Sequence, residues 1–177
     1  YAMERMARFI QNNDPWSALV AQGHIRLEVL TASRQVALTP DIRIEAVTVP
    51  HRDEFSETVA YIVQGPRHSV LHLPDIDGWD GWLPGLESLL ERVDAAWIDG
   101  TFYSDQELPG RDLTSIPHPR ISQTLARLAR LPSGVRAKVR LTHLNHTNPV
   151  LDLDSSEAKS VMTAGVQIAY PGETYAL

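Results

Sequence analysis

The chain has 177 residues, 43% of them hydrophobic and 21% charged, enough for a compact domain with a sizeable core and far from a disordered composition. Its formal charge is −6 and its pI about 5.6, with no run of Lys or Arg, so a small ligand is expected rather than a nucleic acid. The lack of cysteine excludes disulfides, thiolate zinc ligands and thiol catalysis within this segment, and no apolar run reaches the ~18 residues of a membrane span, nor does a signal-peptide pattern open the chain; the expectation is a soluble, cytoplasmic protein.

Met3, Met6 and Ile10, spaced three and four apart, predict an opening helix that ends before Asp14-Pro15, because the residue before a proline is pushed out of helical geometry. Residues 25–30, 36–38 and 42–49 read as strands. Strands over 58–63 and 69–73 follow, joined at Gly65-Pro66 with hairpin spacing. Leu83, Leu86, Leu89, Leu90 and Val93 form the apolar stripe of a helix lying on a sheet. Residues 95–98 make a short buried strand ending in Asp99-Gly100. The stretch from Phe102 to Pro119 is rich in Asp, Gly and Pro and long for a connection, which suggests a binding or covering loop. Ile121, Leu125 and Leu128 mark a further helix, and residues 138–141 a further strand. Asp154 and Glu157 have capping-box spacing for a last helix, and residues 166–169 and 174–177 suggest a terminal hairpin. This alternation gives one α/β (α+β) layered domain over 1–177.

Chemistry-bearing residues gather where strands end. LTHLNHTNP sets His143 and His146 immediately after a buried strand. Residues three apart in extended backbone point to opposite faces, so His143, at the strand end itself, is the better ligand candidate. Asn145 and Asn148 read equally as turn-formers. EAVTVPHRDE places His51 after a second strand, with Arg52, Asp53 and Glu54 reading as a solvated loop. SVLHLPDID places Asp75 after a third, in an apolar passage where an ionised carboxylate must find a cation, a metal or several donors. Asp77 and Asp80 have ordinary turn explanations, and Asp99 fits either a turn cap or a site role. His118, between two prolines, is rigidly presented and suits a proton donor or a covering element. Histidine with carboxylate suits Zn, Fe or Mn, and spacing does not choose among them. Trp16, Trp79, Trp82 and Trp97 read as core, with Trp79 and Trp82 also able to wall a pocket.

Five segments in this order, VPHRDEFSETVAY, LHLPDIDGW, DGTFYSDQELPGR, IPHPRIS and THLNHTNPVLDLDSSE, resemble the B-protein family of pyrroloquinoline quinone (PQQ) biosynthesis, within the metallo-β-lactamase superfamily. The resemblance covers nearly the whole chain. It implies an αβ/βα sandwich with metals at the sheet edge. By motif, His51 resembles the mid-chain metal histidine, Asp75 the carboxylate able to bridge two metals, and His143 the late histidine ligand. His118 resembles a histidine near the centre of related phosphodiesterases and is the candidate catalytic residue. Ala60-Tyr61 departs from the family's usual Gly-Phe. The superfamily's His-x-His-x-Asp-His cluster, or its Asp- and Glu-bearing variant, does not occur here, nor does the family's cysteine-rich zinc site. The expectation is therefore a C-terminal portion, with roughly a hundred residues of such a protein upstream of Tyr1.

The resemblance implies iron-dependent hydroxylation of the tyrosine ring in a small peptide-derived Glu-Tyr precursor, with zinc or manganese as alternative metals. Arg52 and Arg111 are candidates for the precursor's carboxylates. The alternatives are a metal-dependent hydrolase of the same superfamily, phosphodiesterase-like, and a non-enzymatic module that carries or transports PQQ or its precursor. Losing one half of the sandwich would expose an apolar face, which predicts aggregation or a homodimer that covers it.

Overall fold

The computed structural model describes residues 1–112 and 116–177. Its elements in chain order are β1 (Ala2–Met3), α1 (Glu4–Asn12), α2 (Trp16–Ala21), β2 (Val29–Leu30), β3 (Gln35–Ala37), β4 (Arg43–Thr48), β5 (Val59–Gln64), β6 (Ser69–Leu73), α3 (Leu86–Glu91), β7 (Ala95–Asp99), α4 (Ile121–Leu128), α5 (Ser133–Arg136), β8 (Val139–Thr142), α6 (Ser156–Thr163) and β9 (Gln167–Ile168). Strands β3 to β9 form one sheet in sequence order. The first four pair antiparallel and the last four parallel.

That mixture decides where the site lies. β4 and β6 both run antiparallel to β5, so they share a direction, and β7 and β8 run parallel to β6. The C-terminal ends of β4, β6, β7 and β8 therefore emerge at one sheet edge. The parallel crossovers carry α3, α4, α5 and α6, and the apolar sides of α3, α4 and α6 cover one face: Leu86, Leu89, Leu90, Ile121, Leu128 and Val161 pack with Leu71, Leu73, Ile98 and Leu141. The opposite face is partly polar. There the Arg140 guanidinium sits 4.9 Å from the Trp97 ring and 5.6 Å from that of Tyr175, and Glu173 binds Arg140 at 2.7 Å. A smaller cluster of Met3, Leu30, Ile44 and Ala46 anchors the N-terminal elements to the antiparallel half.

Several elements differ from the sequence reading. The buried side of α1 passes through Ala7, and Met6 is exposed, so the inward face lies one position off the methionine spacing. Of residues 25–30 only Val29–Leu30 pair, with β1. The last helix is capped by Ser155, whose hydroxyl accepts from Ala158 N, rather than by Asp154: the serine oxygen reaches the orphan amide from one residue nearer the helix. The C-terminal hairpin does not form. β9 pairs parallel with β8 instead, and residues 170–177 cross the polar face, where the Glu173–Arg140 pair and the Tyr175 ring outcompete strand pairing. Trp16 is exposed, not core. Residues 113–115, inside the long Phe102–Pro119 connection, lie outside the described residues.

Candidate metal centre at the sheet edge

Asp75, Asp99, His118 and His143 each offer a ligand atom within 4.8 Å of the others. Three of them are placed by a strand end or its following turn, and His118 by the end of the long connection that leads into α4. Asp99 closes β7, Asp75 follows β6 by two residues, and His143 follows β8 directly. His143 holds the left-handed conformation, φ 59°, which turns the chain out of the strand at the point where its ring enters the cluster. Gly100 has no room for a side chain: a Cβ there would stand 3.0 Å from Leu141 Cβ and 3.1 Å from Thr142 O, so the turns after β7 and β8 can lie against each other. Asn148 then ties them, donating to the carbonyls of Gly100 at 2.8 Å and Thr101 at 3.1 Å.

Asp99 is fully buried and fully bonded. One oxygen accepts from the amide and hydroxyl of Thr101 at 2.8 and 2.7 Å, the other from Ile76 N at 3.1 Å. His118 Nδ1 lies 2.8 Å from that second oxygen. Burial pulls the His118 pKa down, but the Asp99 hydrogen bond and the charges of Asp99 and Asp75 reverse this, and the net shift is upward. With Nδ1 committed to Asp99, Nε2 remains to take or give a proton. Thr101 Oγ1 also stands 3.0 Å from His143 Nδ1 and 3.2 Å from His118 Nδ1, linking both rings to Asp99.

His51 adjoins this cluster, its ring centroid 5.8 Å from that of His118. Asp77 Oδ1 lies 2.8 Å from its Nδ1, and Asp75 Oδ2 lies 3.1 Å from its Nε2. Asp77, which reads as a turn residue in the sequence, is thus the group that orients His51. A neutral imidazole donating from Nδ1 turns a lone pair at Nε2 toward the Asp75 carboxylate, an arrangement that calls for a cation between them. The other Asp75 oxygen is buried without a hydrogen-bond partner and has His118 Nδ1 at 3.5 Å. An orphaned carboxylate oxygen among nitrogen and oxygen donors is the environment a borderline metal ion satisfies, so these residues fit one.

The other candidates lie outside the cluster. His146 is exposed, Arg52 is exposed on the loop after His51, and Arg111 is exposed in the long loop. That loop is tied to the His143 turn through Glu107, which accepts from Tyr103 N and from the Thr147 hydroxyl. A cleft of about 760 Å³ opens at His118 and Asp77, with Pro50 and Trp79 among its walls. Trp79 is buried, its Nε1 donating to Thr124 at 2.9 Å. No described helix is long and apolar enough to cross a membrane. The Asp-Gly-Thr sequence directly after a buried strand was the signal available for Asp99 and Thr101; nothing comparable marks Asp77.

A sheet with helices on one face and a His/Asp cluster at its C-terminal edge is the arrangement of the metallo-β-lactamase fold, and residues 1–144 match the family model described as the beta-lactamase superfamily domain. The chain belongs to the β-lactamase superfamily. Within it, the chain is similar to coenzyme PQQ synthesis protein B: 32% identical over 97 residues to that of Methylococcus capsulatus, covering 50% of this chain and 31% of the relative. To that of Pseudomonas putida it is 27% identical over 175 residues, covering 89% of this chain and 55% of the relative. The solved structure of Zn(2+)-bound PqqB from Methylobacterium extorquens has the same fold, with a TM-score of 0.78 at 22% identity, covering all of this chain and 61% of that one. The chain spans about half the length of the curated relatives it matches over most of its residues.

Proposed function

We propose that this chain supplies part of the metal site of a protein acting in PQQ biosynthesis, and that the reaction is hydroxylation of the tyrosine ring of a small peptide-derived Glu-Tyr precursor. The observation that carries the reading is the orphaned Asp75 oxygen inside a His/Asp cluster at the sheet edge, in a chain whose curated relatives are PQQ synthesis proteins B. His51, Asp75 and His143 are the proposed metal-holding groups, with Asp99 beside them. Iron is the proposed metal, with zinc and manganese as alternatives; when bound it would supply binding and activation of dioxygen. His118 would hold or move a proton at the substrate's ring oxygen through Nε2, steadied by Asp99 at Nδ1. The cleft beside His118 and Asp77 would receive the ring, with Trp79 and Pro50 as apolar walls. A cytoplasmic setting is part of this proposal.

The same His118–Asp99 pair favours one second reading, a metal-dependent hydrolase, in which Nε2 protonates a leaving oxygen. The deciding experiment loads the full-length protein anaerobically with iron or with zinc, adds dioxygen and a reductant to the iron form, and follows the precursor by mass spectrometry. A gain of oxygen with iron alone supports hydroxylation. Cleavage of a phosphodiester by the zinc form, without oxygen gain in the iron form, would replace it with hydrolysis. Neither reaction, with PQQ or its precursor still bound, would leave the carrier role.

A further inference from the structure

The cleft at the cluster does not end with apolar walls. Its far side is built from α4 and the turn after it, which contribute Gln123, Arg127 and Arg130. Residues three apart along a helix and its last turn share one side, so both guanidiniums belong to the same wall. They are not equivalent. Arg127 is held by Glu87 at 2.6 and 3.0 Å and by Asp80 at 3.0 Å. Arg130 makes no side-chain hydrogen bond or ion pair among the described residues, although its backbone amide donates to Arg127 O. The acidic groups of the cleft are engaged elsewhere, Asp77 with His51 and Asp80 and Glu87 with Arg127. Arg130 lies near enough to Glu87 for their charges to attract, but with Glu87's oxygens bonded to Arg127 its own guanidinium donors stay open to a ligand. Arg52 and Arg111 are not among its lining residues.

We propose that Arg130 is a specificity-determining residue that receives a carboxylate of the substrate while the substrate's aromatic end lies between Trp79 and the metal cluster. This deepens the proposed function and rests on it for the substrate class, an aromatic amino-acid derivative carrying a second, side-chain carboxylate. The physical basis is the planar guanidinium, which takes a carboxylate through two parallel charge-assisted bonds, whereas an amide in place of that carboxylate keeps its shape and loses the charge. Arg127, already occupied by carboxylates, stiffens the wall from which Arg130 projects.

The test is calorimetric binding of the dipeptides Glu-Tyr and Gln-Tyr to the full-length, zinc-loaded protein and to its R130Q, R52Q and R111Q variants. The wild type should prefer Glu-Tyr. R130Q should weaken Glu-Tyr roughly tenfold, leave Gln-Tyr unchanged, and melt with the wild type because Arg130 is exposed. Retention of the Glu-Tyr preference in R130Q, its loss in R52Q or R111Q instead, or failure of the wild type to bind either dipeptide would overturn the assignment. Because the readout is binding, a protein that discriminates as expected yet adds no oxygen to the precursor would sink the hydroxylase reading and leave Arg130's role standing.

Discussion

His118 Nδ1 lies 2.8 Å from Asp99 Oδ2 at a position where Asp99 has no exposure to solvent. The carboxylate is an acceptor for four groups at once: His118, Ile76 N and both donors of Thr101. Asp99→Asn keeps the shape but turns an amide NH2 toward groups that are themselves donors. We expect a loss of about 2–3 kcal/mol in the urea-unfolding free energy, the usual cost of stranding buried donors beside a removed charge. A loss below about half a kcal/mol would mean that these bonds do not hold the turn.

Asp75 is the opposite case. One oxygen is buried without a hydrogen-bond partner and the other faces His51 Nε2 at 3.1 Å. If the carboxylate exists to hold a cation, Asp75→Asn should cost the metal-free protein little and cost the metal-bound protein much. In the full-length protein, bound metal by plasma emission should fall by at least about tenfold at limiting metal, while the chelated variant melts within a few degrees of the chelated wild type. Equal metal content in the two proteins would remove Asp75 from the ligand set.

The residues legible in the sequence are those whose position follows from chain direction. β6 runs over Ser69–Leu73 and α4 over Ile121–Leu128, where the apolar patterns place them, and His51, Asp75 and His143 stand just past the strands whose periodicity announces them. What pattern does not encode is which turn touches which. Asp77 looks like any turn aspartate until β4 and β6 are known to point the same way, which sets the loop after β4 against the one after β6; the Asp77 amide then donates to Pro50 O while its carboxylate takes His51. Arg130 is equally illegible, since its open donors depend on Glu87 and Asp80, 40 and 47 residues before Arg127, having engaged Arg127 first. The C-terminal tail misleads because alternation reports burial on one face, not whether the face is covered by a paired strand or by Glu173 and Tyr175 laid across Arg140.

His143 combines a site position with backbone strain. Its φ of 59° is one that a residue bearing a Cβ adopts at a cost of about 1 kcal/mol, and glycine does so freely. His143→Gly and His143→Ala both remove the ring, so they differ in that strain and in the greater unfolded-state freedom of glycine, which opposes it. Metal-free His143→Gly should still be the more stable of the two, by up to about 1 kcal/mol in urea, against the usual order in which glycine is the worse residue. If alanine proved the more stable, the turn after β8 would be taking up another conformation in the absence of the ring.

The wall of the cleft carries its own pH signature. Arg127's hydrogen bonds hold the Glu87 pKa below its ordinary value of 4.5, against partial burial that pulls the other way. A carboxylate whose folded pKa is depressed adds stability that is fully present above the unfolded value and is lost as the pH falls through the folded one. The side chain is 36% exposed, so solvent and salt reduce the contribution to roughly 0.5–1 kcal/mol. Glu87→Gln lacks it at every pH. The stability gap between wild type and Glu87→Gln, taken from urea midpoints, should hold steady near neutrality, begin to close below the unfolded value of 4.5 and vanish once the folded protein is protonated. Raising the salt should narrow the neutral-pH gap as well. A gap that stayed constant into acid would show that packing of the Glu87 stem, and not its charge on Arg127, fixes this wall.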